Sequence, residues 1–338
     1  MNSCTRINFE VFNKSTEHLI VVMSPMKLSI EKLPHYKDEN FENFSRILIN
    51  PGTRNYYKDC VAEVRDAIST ALKETGAKYL VFCGSSMGAF GAVYMGSLFS
   101  ETKYIVAYAP FIRLDHPGTL SKSSIAPEFL VDEDRNSREL LERLKNTKAQ
   151  LFLFYPCIDG QDGIKITESE AFNECTHITR YYLMCEHNIH QHVSLPALVA
   201  RLIHSGDVSA EAIERLAATE EDKKLSQNTY QLYLAELENS KPTFEITSMP
   251  LENTTNWLYF YWKARYQAKQ GLHWESLCNY MASMANGGDK VVETHFCVAN
   301  TLKNLGLKHA ALGYYQEAFK RAPNNNDIAL IISDLLTA

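Results

Sequence analysis

The chain has 338 residues, 45% of them hydrophobic and 22% charged, with a net charge of -6. That is enough chain for two ordinary domains with a sizeable core, and its weakly acidic balance with scattered Lys and Arg excludes a nucleic-acid footprint. No stretch approaches the roughly 18 continuous apolar residues of a membrane span, and no apolar leader core follows Met1 to Arg6, so no membrane span and a cytoplasmic location are expected. The eight cysteines include no Cys-x-x-Cys pair, which favours buried free thiols over disulfides or a zinc site.

Asn8 to Phe12 and His18 to Met23 read as two short strands, the second apolar enough to be buried on both faces of a parallel sheet. It stops at Ser24-Pro25-Met26-Lys27. Arg46 to Asn50 is another strand, ended by Pro51-Gly52. From Tyr57 to Thr75, Val61, Val64, Ala67, Ile68, Ala71 and Leu72 recur at helical spacing, and Gly76 closes the helix. The strand Lys78 to Phe82 breaks into the turn Gly84-Ser85-Ser86-Met87-Gly88 and resumes as a helix over Ala89 to Leu98. Tyr104 to Tyr108 is the next strand. Residues 111–147 are irregular and polar, with a helix over Ser137 to Leu144. The strand Gln150 to Tyr155 then leads to a loop carrying Asp159 and Asp162. A helix near Glu168 to Asn173, a strand Arg180 to Met184, a loop with His187, His190 and His192, and a helix from Val193 to His204 complete this part. Strand and helix alternating over some 200 residues predict a mainly parallel α/β sheet, which places ligands at the carboxyl ends of its strands.

Beyond Ser205 the strand patterns disappear. Ser209 to Thr219 and Lys224 to Leu237 read as helices, and Pro242 to Thr255 as a linker. Two similar segments follow, Trp257 to Met284 and His295 to Pro323. Gly271 and Gly306, Ser276 and Ala311, and Tyr280 and Tyr315 are each 35 positions apart, close to the period of about 34 residues of paired-helix repeats. The expected organisation is a catalytic unit over 1–205, a helical connector over 206–256 and helical repeats over 257–338.

Gly84-Ser85-Ser86-Met87-Gly88 fits Gly-x-Ser-x-Gly in full. A nucleophile on a strained turn between strand and helix needs residues without bulky side chains two positions either side of it. A serine hydroxyl is a weak nucleophile and needs a base, which in turn needs an orienting acid. The candidates run in the order Ser, Asp, His. His187, first after the last strand, is the expected base, with His190 as alternative and His192 assigned to the start of the next helix. Asp162 is the expected acid and Asp159 its alternative; both precede glycine in turn dipeptides. The developing oxyanion needs preorganised N–H donors. Met87 supplies one, and Met26 is the candidate for the other because Pro25 has no N–H. His187, His190, His192 and Glu186 contain no His-Glu-x-x-His pattern and their spacing does not share one helix face, so no metal and no cofactor is expected.

With these residues in place, the first 205 positions resemble the α/β-hydrolase family in a compact form. Gly84 to Ala92 together with the appended repeats resemble a branch of serine esterase-like proteins found with bacterial surface-polysaccharide genes. That resemblance implies Ser86 as nucleophile, His187 as base, Asp162 as orienter, and ester hydrolysis or acyl transfer through an acyl-serine. It also implies that the 111–147 insertion stands where many hydrolases carry a cap. The segment Leu305 to Pro323 resembles a tetratricopeptide repeat, which implies a protein partner or self-association. Three readings follow: an esterase acting on an acylated carbohydrate or small ester, an O-acetyltransferase of a capsule or other surface polysaccharide with acetyl-CoA as co-substrate, and a non-catalytic scaffold.

Overall fold

A computed structural model describes residues 7–25, 39–51, 57, 60–112, 133–158, 165–166, 169–238, 240, 242 and 256–337. The chain divides into two compact units, a sheet unit running to Thr219 and a helical unit from Glu220 onward.

In the sheet unit, β1 (Asn8–Phe12), β2 (His18–Met23), β3 (Ser45–Asn50), β4 (Tyr79–Ser85), β5 (Thr102–Tyr108), β6 (Gln150–Pro156) and β7 (Ile178–Leu183) form one sheet in the order β1-β3-β2-β4-β5-β6-β7. Every neighbouring pair is parallel except β1 and β3. The central strands are the most apolar: Leu19 to Met23 and Leu80 to Cys83 are fully buried, as strands covered on both faces must be. β1, at an edge, keeps Phe9 46% exposed.

The helices of this unit are α1 (Glu39–Glu42), α2 (Val61–Thr75), α3 (Met87–Gly96), α4 (Glu133–Asn146), α5 (Leu195–Ser205) and α6 (Glu211–Arg215). α2 ends where Gly76, at φ 66°, turns left-handed and donates its N–H to Leu72 O. α5 starts at Ser194, whose hydroxyl accepts the Ala197 N–H, and ends at Gly206 with φ 70°. Leu198 and Leu202 of α5 join Ile20, Val22, Val81, Cys83 and Val106 in one apolar core. On one sheet face, Tyr108, Phe154 and Tyr181 of β5, β6 and β7 sit side by side, with ring centroids 5.0 and 4.6 Å apart. Such cross-strand pairs hold register.

Several elements depart from the sequence expectation. The helix expected near Glu168 to Asn173 is a single 3-10 turn, Glu170–Phe172, and α1 carries too few residues to leave a periodic signal. His192 is not in the helix it was assigned to. It follows a 3-10 turn, Ile189–Gln191, and the helix begins at Leu195 because Ser194 caps it and Pro196 fits its first turn.

The helical unit contains α7 (Glu220–Glu238), α8 (Trp257–Lys269), α9 (His273–Ala285), α10 (Val292–Asn304), α11 (Lys308–Arg321) and α12 (Asn326–Thr337). Within 206–256, α6 belongs to the sheet unit, where Ala217 bridges to Leu183, and α7 packs on α8; of the expected linker Pro242 to Thr255, residues 243–255 lie outside the described residues. α8 pairs with α9 and α10 with α11. Ser276 and Ala311 are fully buried in the second helix of each pair, as are Tyr280 and Tyr315 one turn further on. Ser276 also donates its hydroxyl to Ala264 O at 2.8 Å across the first pair. No helix among the described residues is long and apolar enough to cross a membrane.

Candidate active site

β4 is parallel to its neighbours, so Ser85 delivers the chain to the carboxyl edge of the sheet, and α3 starts two residues later. Between them stands Ser86, half-buried, with φ 55° and ψ -121°. That backbone conformation costs of the order of 1–3 kcal/mol for a residue with a side chain and persists only where its surroundings impose it. Here they do. A Cβ on Gly84 would overlap the Gly88 carbonyl and approach Ala89 N to 2.9 Å, and one on Gly88 would overlap the Met23 carbonyl and stand 2.8 Å from Ser24 O. The Ser86 N–H is held by Tyr108 O at 2.9 Å, and its carbonyl accepts from Ala89 and Phe90 at 3.0 and 3.1 Å. The first N–H groups of α3 have no acceptor within the helix, and the partial positive charge of the helix start lies at the same point. Met87 is the first of those residues.

The sheet order adds a second positional fact. From β2 the chain goes to β3 on one side, while β4 lies on the other. Open α/β sheets bind ligands at such a reversal of strand order, outside the carboxyl ends. A strand-elbow-helix with serine at its tip, at the reversal of a mainly parallel sheet, matches the arrangement of the α/β-hydrolase fold. The fold is α/β-hydrolase-like.

No family model matches the chain, and no curated protein does. Among solved structures it is similar to the capsule O-acetyltransferase of Neisseria meningitidis serogroup A, at 17% identity over 54% of this chain and 84% of that one, with a TM-score of 0.41. It is also similar to the Pyrococcus furiosus esterase Pf2001, at 16% identity over 62% and 87%, TM-score 0.42. A third is a structure described as a predicted CIB-like hydrolase from Thermoplasma acidophilum, at 13% identity over 59% and 90%, TM-score 0.39.

Ser86 and His187 both lie at the carboxyl edge, each beyond the end of its own parallel strand. β7 is three strands from β4, about 14 Å across the sheet. The path after β7 is held by backbone hydrogen bonds: Cys185 N–H donates to Leu183 O, Met184 N–H to Leu216 O, and the His187 carbonyl receives the Ile189 N–H at 3.0 Å. His187 is partly buried, whereas His190 and His192 are exposed. Asp159, Asp162 and Met26 lie outside the described residues. β6 brings the chain to the same edge at Pro156, three residues before Asp159.

Cys83, on the same strand as the elbow, is an alternative nucleophile only on paper. Burial alone pushes its thiol far above the ordinary range, and a buried neutral thiol is inert.

Three residues of this edge gave no motif. Tyr57, fully buried and at φ 67°, donates its hydroxyl to Ser24 O at 2.9 Å. Ser24 is fully buried directly after β2. Lys165, also fully buried, places its ammonium 3.9 Å from the centroid of the Phe111 ring beyond β5, a cation–π contact. Among the described residues no group of three His, Cys, Asp or Glu has a metal-holding arrangement.

Proposed function

We propose that the protein is a serine hydrolase that carries the acyl group of an acylated carbohydrate or small ester on Ser86. The observation behind this reading is the φ 55°, ψ -121° conformation of Ser86 between two glycines that no other residue could replace. Ser86 Oγ attacks the ester carbonyl carbon while His187 takes the hydroxyl proton, and Asp162, or Asp159 in its place, orients the imidazole. The negative charge on the carbonyl oxygen is met by the Met87 N–H and a second donor, for which the Met26 N–H is the sequence candidate. As the carbonyl re-forms, the bond to the leaving alcohol breaks and the proton on His187 passes to that alcohol. Water, deprotonated by His187, then attacks the acyl-serine and frees the acid and Ser86.

If a sugar hydroxyl takes the place of that water, the same residues perform an O-acetyl transfer, with acetyl-CoA as the acyl donor and a capsule or other surface polysaccharide as acceptor. A fluorophosphonate probe, read by mass spectrometry, is expected to form an adduct at Ser86 in the folded protein. Absence of that adduct, with a control esterase labelled, would sink the reading and leave the scaffold alternative. Release of acetate from p-nitrophenyl acetate is the hydrolase outcome; acetylated glycan formed in the presence of an acceptor and acetyl-CoA is the transferase outcome. Asp162→Asn is expected to abolish turnover and Asp159→Asn to spare it; the reverse result reassigns the acid.

We read the helical unit as tetratricopeptide-like. Support comes from the paired positions 35 apart: Gly271 and Gly306 have φ 76° and 79°, and Ser276, Ala311, Tyr280 and Tyr315 are all buried. The role proposed for it is to hold a protein partner or a second copy. Light scattering of the purified chain at several concentrations distinguishes self-association from a monomer.

A further inference from the structure

The two helix pairs of the helical unit carry the same irregularity at the same place. α9 and α11 begin after Leu272 and Leu307, 35 positions apart, and neither of these N-cap residues makes a side-chain bond to its helix. Leucine is a poor N-cap because it has no oxygen to accept the free N–H groups of the first turn. Each leucine donates its own N–H to the preceding helix, at Gln267 O and Leu302 O, and a leucine so placed commonly folds its side chain onto the helix it closes. These two stay 46% and 42% exposed. Trp274, in the first turn of α9, is 60% exposed.

Topology gathers these residues at one end. Residues 270–272 join α8 to α9, 286–291 join α9 to α10, and 305–307 join α10 to α11, connections so short that successive helices run antiparallel. The 270–272 and 305–307 turns therefore share one end of the layer, and the 286–291 turn lies at the other. Beside the two shared turns stand Lys269, Lys303 and Lys308, all exposed. Across 269–275 and 303–310 the sole carboxylate is Glu275. Lys269 donates its ammonium to the Glu236 carbonyl at 2.5 Å, a neutral acceptor that leaves its charge in place. Lys308 is the first residue of α11, and no acid stands in that first turn, although a helix start favours negative charge. This end thus forgoes local helix stability for exposed leucine and lysine, and it is cationic in a chain whose net charge is -6.

We propose that this end of the helical unit docks on an anionic lipid surface, with Leu272, Trp274 and Leu307 entering the headgroup region and Lys269, Lys303 and Lys308 facing the lipid phosphates. Leucine and tryptophan beside lysine make up the elements that lie in a membrane interface, where the indole ring settles at headgroup level. Clustered lysines are drawn there by the negative surface potential. A protein partner fits this composition less well, because the core of a protein–protein interface is depleted in lysine. Docking of this kind needs no spanning helix. It stands whether or not Ser86 is the nucleophile, and it adds a lipid contact to the partner binding read from the repeats.

The test is sedimentation of the full chain with vesicles of phosphatidylglycerol and phosphatidylcholine, and with phosphatidylcholine alone, while tryptophan emission and melting temperature are recorded. Wild type is expected to partition onto the anionic vesicles at least about tenfold better than onto the neutral ones, with a blue shift as Trp274 leaves water, and to be released by high salt. Trp274→Ser should weaken partitioning by about tenfold or more, the effect of withdrawing one large apolar side chain. Lys308→Glu should weaken it by about fivefold or more while melting no lower than wild type, because an acid suits the start of α11; a merely structural lysine would not separate the two readouts. Wild type that stays in the supernatant with anionic vesicles at low salt overturns the proposal, as does partitioning that both variants leave within about twofold of wild type. Self-association in light scattering that Trp274→Ser abolishes, without sedimentation on vesicles, also overturns it and assigns this end to a second copy. Fluorophosphonate labelling of Ser86 is expected to be equal in all three proteins, so a failure of the hydrolase reading shows there and leaves the sedimentation result standing.

Discussion

The two units of this protein treat backbone strain in opposite ways. All four non-glycine residues with positive φ among the described residues, Ser15, Tyr57, Ser86 and Ala109, lie in the sheet unit. Ser86 and Ala109 directly follow β4 and β5, and Tyr57 is bonded to the residue after β2, so three of the four crowd the carboxyl edge. In the helical unit only glycines have positive φ: Gly271, Gly287 and Gly306. α8, α9 and α10 are each followed within two residues by one of these glycines, which tolerate the left-handed turn. The difference separates a unit that bears strain from one that avoids it. Strain kept at one edge of one unit, against the easy replacement of each residue by glycine, marks that edge as the candidate site.

The sharpest way to break this comparison is Ser86→Ala, which is expected to lower turnover by about 10⁴-fold or more and abolish probe labelling without loss of fold. A variant that still turned over would move the chemistry elsewhere. Next comes Gly88→Ala. Its methyl group would overlap the Met23 carbonyl, a backbone atom that cannot give way, so a loss of about 3 kcal/mol or more in denaturant unfolding is expected. Ser86→Gly should be inactive yet more stable than wild type by about 1 kcal/mol, because glycine adopts φ 55° without strain. A destabilised glycine variant would show that the elbow is not strained. The smallest effects belong to the helical unit. Gly306 has φ 79°, so Gly306→Ala should cost about 1–2 kcal/mol. Gly313, inside α11 with nothing within 4 Å of a Cβ, should become about 0.5–1 kcal/mol more stable as alanine. Both are expected to leave labelling of Ser86 unchanged.

Much of the sheet unit was legible because its signals are local. The five apolar residues Leu19 to Met23 could only be a buried strand, and the glycines around Ser86 announce a turn whatever surrounds it. Gly76 marks a helix end for the same reason. Less legible were features that depend on partners distant in the chain. The antiparallel pairing of β1 follows from its lying beside β3, at an edge, and an edge position leaves no mark in five residues. α12 escaped notice because its apolar face, with Ile331, Ile332 and Leu335, packs only on one side. Leu330 and Leu336 are 64% and 65% exposed, which blurs the periodicity.

The sequence by itself determined the elbow, its serine, the order of the candidate acid and base, and Gly76 as the close of its helix. Each of these is set by the conformational limits of a few consecutive residues. Tertiary structure alone decided that the Ser24 N–H is spent on Ile49 and that Tyr57, 33 residues away, grips its carbonyl. It also decided that the reversal of strand order falls between the strands ending at Met23 and Ser85. Those are statements about which hydrogen bonds remain unmade once the sheet has formed, and no local pattern in a chain can count them.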